Sequence, residues 1–288
     1  MDGPAPYAGS LDGPALYAGS LDGPALYAGC GLVRLDRRMS LVLLEHGTAE
    51  GVRILTLNQP EKRNAMSPAL QAALSEAVDA VRDDRAARVL VITGSGPAFS
   101  AGADLPAVFG DLDRSVGEIR DSLRAIYDSF LRVRRLEIPT IAAVNGAAVG
   151  AGVNLAMSCD VRVAGPNAAF GVTFTKLGLH PGGGCTYFLT RALGAQRALR
   201  LLLDGGTLTA QDALQTGMVS ELSDEPLAAA LELAERYTRL DPRLARNIKR
   251  AVRLAESGDF EASLEFESWA QADSAGNPAL AEAIERFR

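Results

Sequence analysis

The stretch "PTIAAVNGAAVGAGVNLAMSCDVRVAG", residues 139–165, decides the fold. Its opening run is apolar and short, which predicts a buried strand. The glycine-rich segment 145–156 follows and leads into "GVNLAMSCD", which is apolar nearly all round and therefore predicts an interior helix. The run "VRVAG" predicts another strand. Strand, glycine-rich turn, buried helix and strand in succession are typical of an α/β core.

The alternation continues on both sides of this stretch. Upstream, "LVLLEH" and "GVRILTLN" predict paired strands, and "RVLVITG" predicts a buried strand. Ser67 followed by Pro68 predicts a helix start, with the helix ending at about Arg82, and a second helix is predicted over residues 116–134. Beyond residue 180 nearly everything is predicted to be helical, with helix starts at Thr209, Asp241 and Asn277. The sequence therefore predicts an α/β core followed by helices.

Composition narrows the class of protein. The chain has 288 residues, 48% of them hydrophobic, and a net charge of -6 without a basic cluster interleaved with aromatic residues. Neither a nucleic-acid partner nor a membrane surface is expected from such a balance, and no apolar run is long enough to span a bilayer. The cysteines, Cys30, Cys159 and Cys185, lack the spacing of a metal site or a disulfide framework. We expect inert thiols, no metal and a cytoplasmic location.

The N-terminus differs from the rest of the chain. The decapeptides "DGPAPYAGSL", "DGPALYAGSL" and "DGPALYAGCG" follow one another over residues 2–31. Such a tract has no amphipathic period and cannot bury enough apolar surface to offset its ordering entropy. We predict a disordered extension over residues 1–38, a core over 39–230 and a helical C-terminal region over 231–288. Met39 is an alternative start, so whether the repeats belong to the native protein stays open.

Two glycine-rich turns carry the first functional signal. "GPAFSAGADL", residues 96–105, and "NGAAVGAGVNLA", residues 145–156, each follow a predicted buried strand. Small residues let a ligand approach the main chain, and a helix start adds unpaired N–H groups. Two converging N–H donors make an oxyanion hole, whereas the alternative is that the glycines only form turns. Neither segment matches a phosphate-binding or dinucleotide-binding loop.

Taken in order, these segments resemble the enoyl-CoA hydratase/isomerase family of the crotonase superfamily. The resemblance runs from about residue 41 to 288 and includes "LNQPEKRNAM", "AFSAGADL", "FGVTFTKLGLHPGGG" and "LTAQDALQTGMV". It implies an α/β fold of repeated ββα units wound into a spiral, with C-terminal helices that hold a homotrimer or a dimer of trimers (hexamer). It also implies an acyl-CoA substrate and a function in fatty acid metabolism. No permanently bound cofactor is implied, because coenzyme A is part of the substrate.

The resemblance assigns residues to the site. The backbone N–H groups of Ser100 and Ala151 would bind the thioester oxygen. Residues matched to the coenzyme-binding motif would lie along its phosphates and pantetheine (Lys62, Arg63 and Ala65) or meet its adenine (Ala103, Asp104 and Leu105). Alternatively, Lys62 and Arg63 are a solvated basic pair, and Asp104 fixes a loop rather than acting as an acid.

Two positions depart from the family pattern. Hydratases of this family hold a water between two glutamates, and here those positions are Asn154 and Phe174. Asparagine can orient a water but cannot take its proton, and phenylalanine can do neither. We therefore predict an acyl-CoA-processing lyase or isomerase that stabilises a thioester enolate without two-glutamate hydration. The alternatives are a non-catalytic acyl-CoA-binding protein and a thioester hydrolase or decarboxylase of the same fold.

His180 is the remaining titratable candidate near the acyl group. It precedes Pro181, which biases it out of the helical region, and the resemblance puts its loop beside the acyl pocket. It can serve as general acid or base, or it can hydrogen-bond a neighbouring carbonyl and support the glycine turn. His46 is predicted to be exposed at a hairpin. Acidic side chains between the two turns are either mobile carboxylates or a solvated helix start: Asp111, Asp113 and Glu118.

Overall fold

The structure, a computed structural model, describes residues 40–111 and 113–286. The decapeptide repeats, Cys30 and Met39 lie outside the described residues, so the disordered extension remains a prediction. Within the described part the strands are β1 (Val42–His46), β2 (Val52–Leu57), β3 (Val89–Gly94), β4 (Ala98–Ser100), β5 (Thr140–Val144), β6 (Ala147–Val149), β7 (Val161–Ala164), β8 (Ala169–Gly171), β9 (Thr207–Thr209) and β10 (Glu221–Leu222).

These strands form two sheets in the described part of the chain. The larger sheet has the order β1-β2-β3-β5-β7-β10, and the smaller has the order β4-β6-β8-β9. In the larger sheet β1 pairs with β2 antiparallel, as predicted, and the other neighbours pair in parallel. In the smaller sheet only β8 and β9 are antiparallel. The chain passes from the larger sheet to the smaller after β3, after β5 and after β7, and the two glycine-rich segments begin in the first two of these crossings.

Helices cover the sheets and make up most of the chain after residue 184. The helices of the described residues are α1 (Pro68–Asp83), α2 (Leu105–Phe109), α3 (Val116–Arg135), α4 (Ala151–Ser158), α5 (Cys185–Leu193), α6 (Ala195–Asp204), α7 (Ala210–Gln215), α8 (Pro226–Thr238), α9 (Pro242–Ser257), α10 (Phe260–Ser274) and α11 (Pro278–Arg286). The predicted starts at Ser67, Thr209 and Asp241 are confirmed by side-chain caps that accept backbone N–H groups.

The larger sheet is buried on both faces, which explains the apolar runs in its central strands. Val89 and Val91 of β3 face a small core shared with α8, whereas Leu90 and Ile92 face the main core. A parallel sheet covered on both sides requires this continuous apolarity. Helix α8 packs on β3 and β5, so residue 230, the predicted end of the core, lies inside a helix that covers the sheet.

Helix α4 occupies the interior, as its composition predicts. Its eight residues are all buried, and it packs against α3 and α5. The N-terminus of α4 follows β6 in the smaller sheet, and its C-terminus leads into β7 in the larger sheet. The helix therefore joins the two sheets and fixes where its first turn lies.

An ion-pair cluster attaches α9 to the larger sheet. The Lys249 ammonium is buried, lies 2.5 Å from an oxygen of Asp160 and donates to the Ile138 carbonyl at 2.6 Å. Asp160 also accepts from the backbone N–H of Thr140 at 2.8 Å and lies 3.2 Å from Arg253. Burial lowers the pKa of Lys249 to about 8, against the attraction of the Asp160 carboxylate. The cluster satisfies a buried charge with one carboxylate.

The last helices leave large apolar side chains exposed. Those on α9 to α11 include Val252, Phe260, Leu264, Trp269 and Ile284. This is the region that the sequence resemblance assigns to contacts between subunits. The homotrimer or hexamer remains a prediction.

The fold shows the surroundings of the two described cysteines, His46 and Glu118. Cys159 and Cys185 are buried free thiols, and burial raises the pKa of each to about 12, which makes them poor nucleophiles. His46 is exposed at the end of β1. Glu118 and Ser115 cap the start of α3 reciprocally, so Glu118 belongs to a helix start.

In the described ranges no group of metal-binding side chains occurs, and no helix there is long and apolar enough to cross a membrane.

Candidate active site

The two glycine-rich turns meet through parallel pairing of β4 and β6. Ser100 at the end of β4 pairs with Ala148, and the chain continues from β6 to Ala151 at the start of α4. Gly152 packs directly on Ser100, because a Cβ atom at position 152 would lie 2.5 Å from the Ser100 carbonyl oxygen. Any side chain at 152 would therefore push the two turns apart. The structure brings Ser100 and Ala151 together.

Gly150 gives the second turn its shape. It has φ 51° and ψ -111°, a conformation that residues with a Cβ rarely adopt. This bend starts α4 at Ala151, where the N–H groups of the first turn have no intrahelical acceptor. Ser100 and Ala151 are both buried. The arrangement places backbone N–H groups and the positive end of α4 beside the buried end of β4.

The two segments predicted to bind coenzyme A also lie side by side. The N–H of Ala101 donates to the Arg63 carbonyl at 2.8 Å, and the N–H of Met66 donates to Gly102 at 2.7 Å. Met66 and Ala103 then form an isolated parallel bridge. Residues 62–66 and 100–105 thus form one surface that holds all six predicted coenzyme-binding residues. Lys62 and Arg63 are exposed on it.

Asn64 fixes that surface, and the sequence analysis missed it. Its side chain is fully buried, donates to the carbonyls of Ser95 and Ala98 at 3.0 and 2.9 Å, and accepts from the N–H of Gln59. Its own carbonyl accepts from the Ser100 hydroxyl at 2.8 Å. The φ of Asn64 is 54°, a region that asparagine tolerates better than most residues. An asparagine between a proline-led turn and an apolar residue was the available signal.

Asp104 is occupied at a helix start. Its Oδ1 accepts from the N–H of Ala107 at 3.3 Å, so Asp104 caps α2. Leu105, the first residue of that helix, is 37% exposed beside it. Ala103 is half-buried on the preceding strand-like segment. The Asp104 carboxylate therefore fixes a loop, and its neighbours are available to a ligand.

Asn154 and Phe174 flank the first turn of α4. Asn154 is 2% exposed, and its Nδ2 donates to the Gly182 carbonyl at 2.8 Å. Among the described residues its Oδ1 has no hydrogen-bond donor. The Phe174 ring is half-buried and lies 3.7 Å from the place where a Cβ of Gly150 would stand. The two positions that depart from the family pattern therefore border the predicted oxyanion hole.

His180 is exposed on the loop before the glycines. Its Nδ1 lies 2.7 Å from the carbonyl oxygen of Pro181. Because a carbonyl oxygen only accepts, Nδ1 carries the proton in this contact and Nε2 is the nitrogen left for a ligand. A hydrogen bond to a neighbouring carbonyl is what we predicted if His180 supports the glycine turn. The catalytic role of His180 remains a prediction.

Tyr127 enters the site from α3 and was not foreseen. A Cβ atom at Gly182 would stand 2.2 Å from its hydroxyl oxygen, so the phenol lies directly against the glycine turn. Burial raises the pKa of Tyr127, so the hydroxyl keeps its proton at neutral pH. The sequence places Tyr127 only on a predicted helix. Nothing in the pattern indicates that the helix would bring it to the glycine turn.

A cavity among the described residues lies at the opposite end of α4 from the candidate site. Its volume is about 470 Å³, and its walls include Met157 at the far end of α4, Tyr187 of α5 and Lys249 of α9. None of the predicted site residues lines it. The candidate site, made of the two backbone turns and the residues beside them, shares no lining residue with this cavity.

Comparison with known proteins decides the family. The sequence profile of the family described as Enoyl-CoA hydratase/isomerase matches residues 47–287. The chain belongs to this family. Membership in the enoyl-CoA hydratase/isomerase family confirms the resemblance and supports an acyl-CoA-processing enzyme of the hydratase/isomerase type.

Relatives within the enoyl-CoA hydratase/isomerase family have different reactions. The probable enoyl-CoA hydratase EchA14 of Mycobacterium tuberculosis is 47% identical over 184 residues, which cover 64% of this chain and 70% of that protein. The 1,2-epoxyphenylacetyl-CoA isomerase of Escherichia coli K12 is 36% identical over 228 residues, covering 78% and 87%. Sequence similarity therefore extends to both a hydratase and an isomerase.

The fold agrees with solved structures of enoyl-CoA hydratases. A protein of Thermobifida fusca YX, assigned to the enoyl-CoA hydratases and crystallised with CoA, has a TM-score of 0.73 and 31% identity, and the match covers 85% of this chain and 95% of that one. The enoyl-CoA hydratase of Bacillus anthracis has a TM-score of 0.78 and 30% identity, covering 86% and 95%. The predicted crotonase fold is confirmed.

Proposed function

We propose that the protein activates an acyl-CoA thioester by hydrogen bonds from the N–H groups of Ser100 and Ala151 to the thioester oxygen. The packing of Gly152 on Ser100 carries this proposal, because it holds the two donors in adjacent turns. As negative charge develops on that oxygen, the fixed donors and the helix end stabilise the enolate. Removing one such donor typically costs about 2.7–4 kcal/mol of transition-state stabilisation.

The proton transfer that accompanies enolate formation needs another group. Asn154 and Phe174 do not titrate, and the Asp104 carboxylate is engaged in a helix cap. His180 is the histidine on the loop that contacts Asn154 through Gly182, and its Nε2 is available. We assign it the role of general acid or base in an isomerase-type or lyase-type reaction. The second candidate function is acyl-CoA binding without turnover, which is favoured by the Nδ1 contact to Pro181.

The experiment that separates these functions uses a panel of acyl-CoA thioesters. Each is incubated with the protein, products are identified by mass spectrometry, and affinities are measured alongside. Turnover of any thioester supports the enzyme, and its products also reveal hydrolysis or decarboxylation. Tight binding of thioesters with no product supports the binding protein. Equal affinity for thioesters and the corresponding free acids would contradict both.

Coenzyme binding should depend on Lys62 and Arg63. The double change to alanine is expected to weaken acyl-CoA binding and to flatten its salt dependence, because the two exposed cations are proposed to meet phosphates. Calorimetry at several salt concentrations measures both effects. Arg236→Ala with Arg239→Ala, on the exposed end of α8, removes the same charge elsewhere and is the control. An unchanged salt slope in the Lys62/Arg63 variant would contradict the assignment.

His180→Gln tests the proton-transfer role. Glutamine keeps hydrogen-bonding capacity but cannot titrate near neutral pH, so we expect turnover to fall by about 10²-fold or more. Acyl-CoA affinity and melting temperature should stay close to those of the parent, since the side chain is exposed. A variant that keeps its turnover would remove His180 from the mechanism and leave it as a support of the glycine turn.

A further inference from the structure

We propose that the cavity of about 470 Å³ at the C-terminal end of α4 is a binding site for a small amphipathic carboxylate. This space, the α4–α9 cavity, is lined mainly by residues of α4, β7, α5, α8 and α9. In it the carboxylate of the ligand meets Arg162 and Arg191, and the apolar body of the ligand lies against α9. The cavity shares no lining residue with the candidate active site, so its ligand is additional to the acyl-CoA proposed above.

The walls of the α4–α9 cavity carry more positive than negative charge. Among the described residues, five cationic side chains and two carboxylates line it, which leaves an excess of three positive charges. The cations are Arg134, Arg162, Arg191, Lys249 and Arg253, and the carboxylates are Asp160 and Glu256. This local excess is opposite in sign to the net charge of the chain, which is -6. Cations gathered around a partly enclosed space attract an anion more strongly than they would in open water.

The two carboxylates of the cavity are already engaged. Asp160 lies 2.5 Å from the buried Lys249 ammonium. Glu256 is shared by two guanidinium groups, because it lies 3.2 Å from Arg134 and 3.7 Å from Arg191. The longer of these contacts is beyond the range of a hydrogen bond. Arg191 therefore has N–H groups that a ligand carboxylate can use.

Arg162 is the cation that the two carboxylates leave out. No described residue places a carboxylate oxygen within 4 Å of its guanidinium, since Asp160 and Glu256 pair with other cations. Its Nε donates to the Met218 carbonyl at 2.5 Å, and its Nη1 donates to the Cys159 carbonyl at 2.8 Å. These bonds use two of the five N–H donors of a guanidinium. Burial lowers the pKa of Arg162, so an anion beside it would offset the cost of its desolvation.

Tyr187 positions two of the cations at the cavity. The Cζ atom of Arg134 lies 5.5 Å from the centroid of the Tyr187 ring, and that of Arg191 lies 5.0 Å from it. Both distances are within the range of cation–π contacts. A guanidinium that is already stacked loses less freedom when it binds a ligand. Because a planar guanidinium pairs with a carboxylate through two parallel hydrogen bonds, Arg191 is a suitable partner for a carboxylate.

The remaining walls are apolar and suit the body of an organic acid. They include Met157, Phe188, Ala192, Ile248 and Val252. Ile248 and Val252 are four residues apart on one face of α9, and they are 51% and 59% exposed. A bare inorganic anion would leave these side chains in water, whereas an alkyl carboxylate would cover them. The cavity volume also lies within the range of about 300–1,000 Å³ that is usual for small-molecule sites.

The test uses octanoate as the probe. Octanol has the same chain length without the charge, and acetate has the charge without the chain. Calorimetry should show one octanoate bound per chain with a Kd below about 1 mM, and binding of octanol and of acetate should be at least about tenfold weaker. Coenzyme A at high concentration should not displace octanoate, because the candidate active site and the α4–α9 cavity lie at opposite ends of α4.

Two variants and two matched controls locate the bound octanoate. Arg191→Gln removes a proposed partner of the carboxylate, and Ile248→Asp adds a negative charge to the apolar wall. Each should weaken octanoate binding at least about tenfold. Arg200→Gln and Leu203→Asp make the corresponding changes on α6, where both side chains are largely exposed and neither lines the cavity. These controls should bind octanoate as the parent does.

Melting temperature and sedimentation show whether each variant folds and assembles like the parent. If Ile248→Asp does not fold, Arg191→Gln decides the matter. Octanoate that binds no better than octanol, that binds equally well to Arg191→Gln, or that is displaced by coenzyme A would overturn the site. Absence of octanoate binding would also overturn it, and this is the result expected if a second copy of the chain covers the cavity.

Discussion

Crotonyl-CoA should be hydrated by this protein far more slowly than by a hydratase with two glutamates. General acid–base groups contribute about 10²–10⁴-fold each, and both positions are occupied by side chains that do not titrate, Asn154 and Phe174. The oxyanion donors would remain and would polarise the thioester. They cannot remove a proton from water. We therefore expect a rate reduced by at least about 10²-fold.

The measurement follows the loss of the conjugated thioester in the ultraviolet. A two-glutamate hydratase measured in parallel provides the reference rate, and binding of crotonyl-CoA measured by calorimetry shows that the site is occupied. Saturated protein without hydration is the expected result. A turnover close to the reference would mean that carboxylates from positions other than 154 and 174 act on the water.

Asp160→Asn should cause the largest loss of stability. The change removes the carboxylate that faces the buried Lys249 ammonium and leaves that charge with the Ile138 carbonyl. Breaking a buried pair by removing one partner typically costs about 3–5 kcal/mol, because the remaining charge is uncompensated. Asp160 is itself 26% exposed, so we expect a value near the lower end of that range.

Denaturant unfolding of the parent and the variant measures this difference. Asp204→Asn breaks an ion pair with Arg200 whose side chains are largely exposed, and it serves as the control because such pairs contribute at most about 1 kcal/mol. Asp160→Asn should lower the midpoint and leave the slope unchanged. A loss no larger than that of the control would mean that the cluster does not hold α9 in place.

Local signals predicted most of the fold. The apolar runs of β3 and β5 and the cap-then-proline starts of α1 and α9 are short-range patterns. The structure has α1 and β3 within about a residue of the predicted bounds, has β5 inside the predicted run and begins α9 at the predicted proline. The winding of ββα units into a spiral was implied only by the resemblance to a family, and the division of the strands into two sheets was not predicted. Periodicity reports which face is buried, and it does not report which strands pair.

The candidate site was partly predictable for the same reason. Ser100 and Ala151 lie on turns that the chain order marks, and the structure brings them together through Gly152. Tyr127 could not be found because its place depends on how α3 packs against α4 and the glycine turn. Asn64 could not be found because its hydrogen bonds join backbone groups more than 30 residues away.

The hydrogen bonds of Asn64 hold the two segments of the candidate site at a set separation. The first segment is the turn that holds Lys62. The second is the end of strand β4 at Ser100, whose hydroxyl donates to the Asn64 carbonyl at 2.8 Å. Because buried hydrogen bonds of the Asn64 side chain and carbonyl join the two segments, we expect the distance from the proposed phosphate contacts to the proposed thioester contacts to change little when a ligand binds. A thioester on a truncated carrier would reach either the proposed phosphate contacts or the proposed thioester contacts, but not both. The length of the carrier, rather than the acyl group, would then determine whether the thioester carbonyl reaches the N–H groups of Ser100 and Ala151.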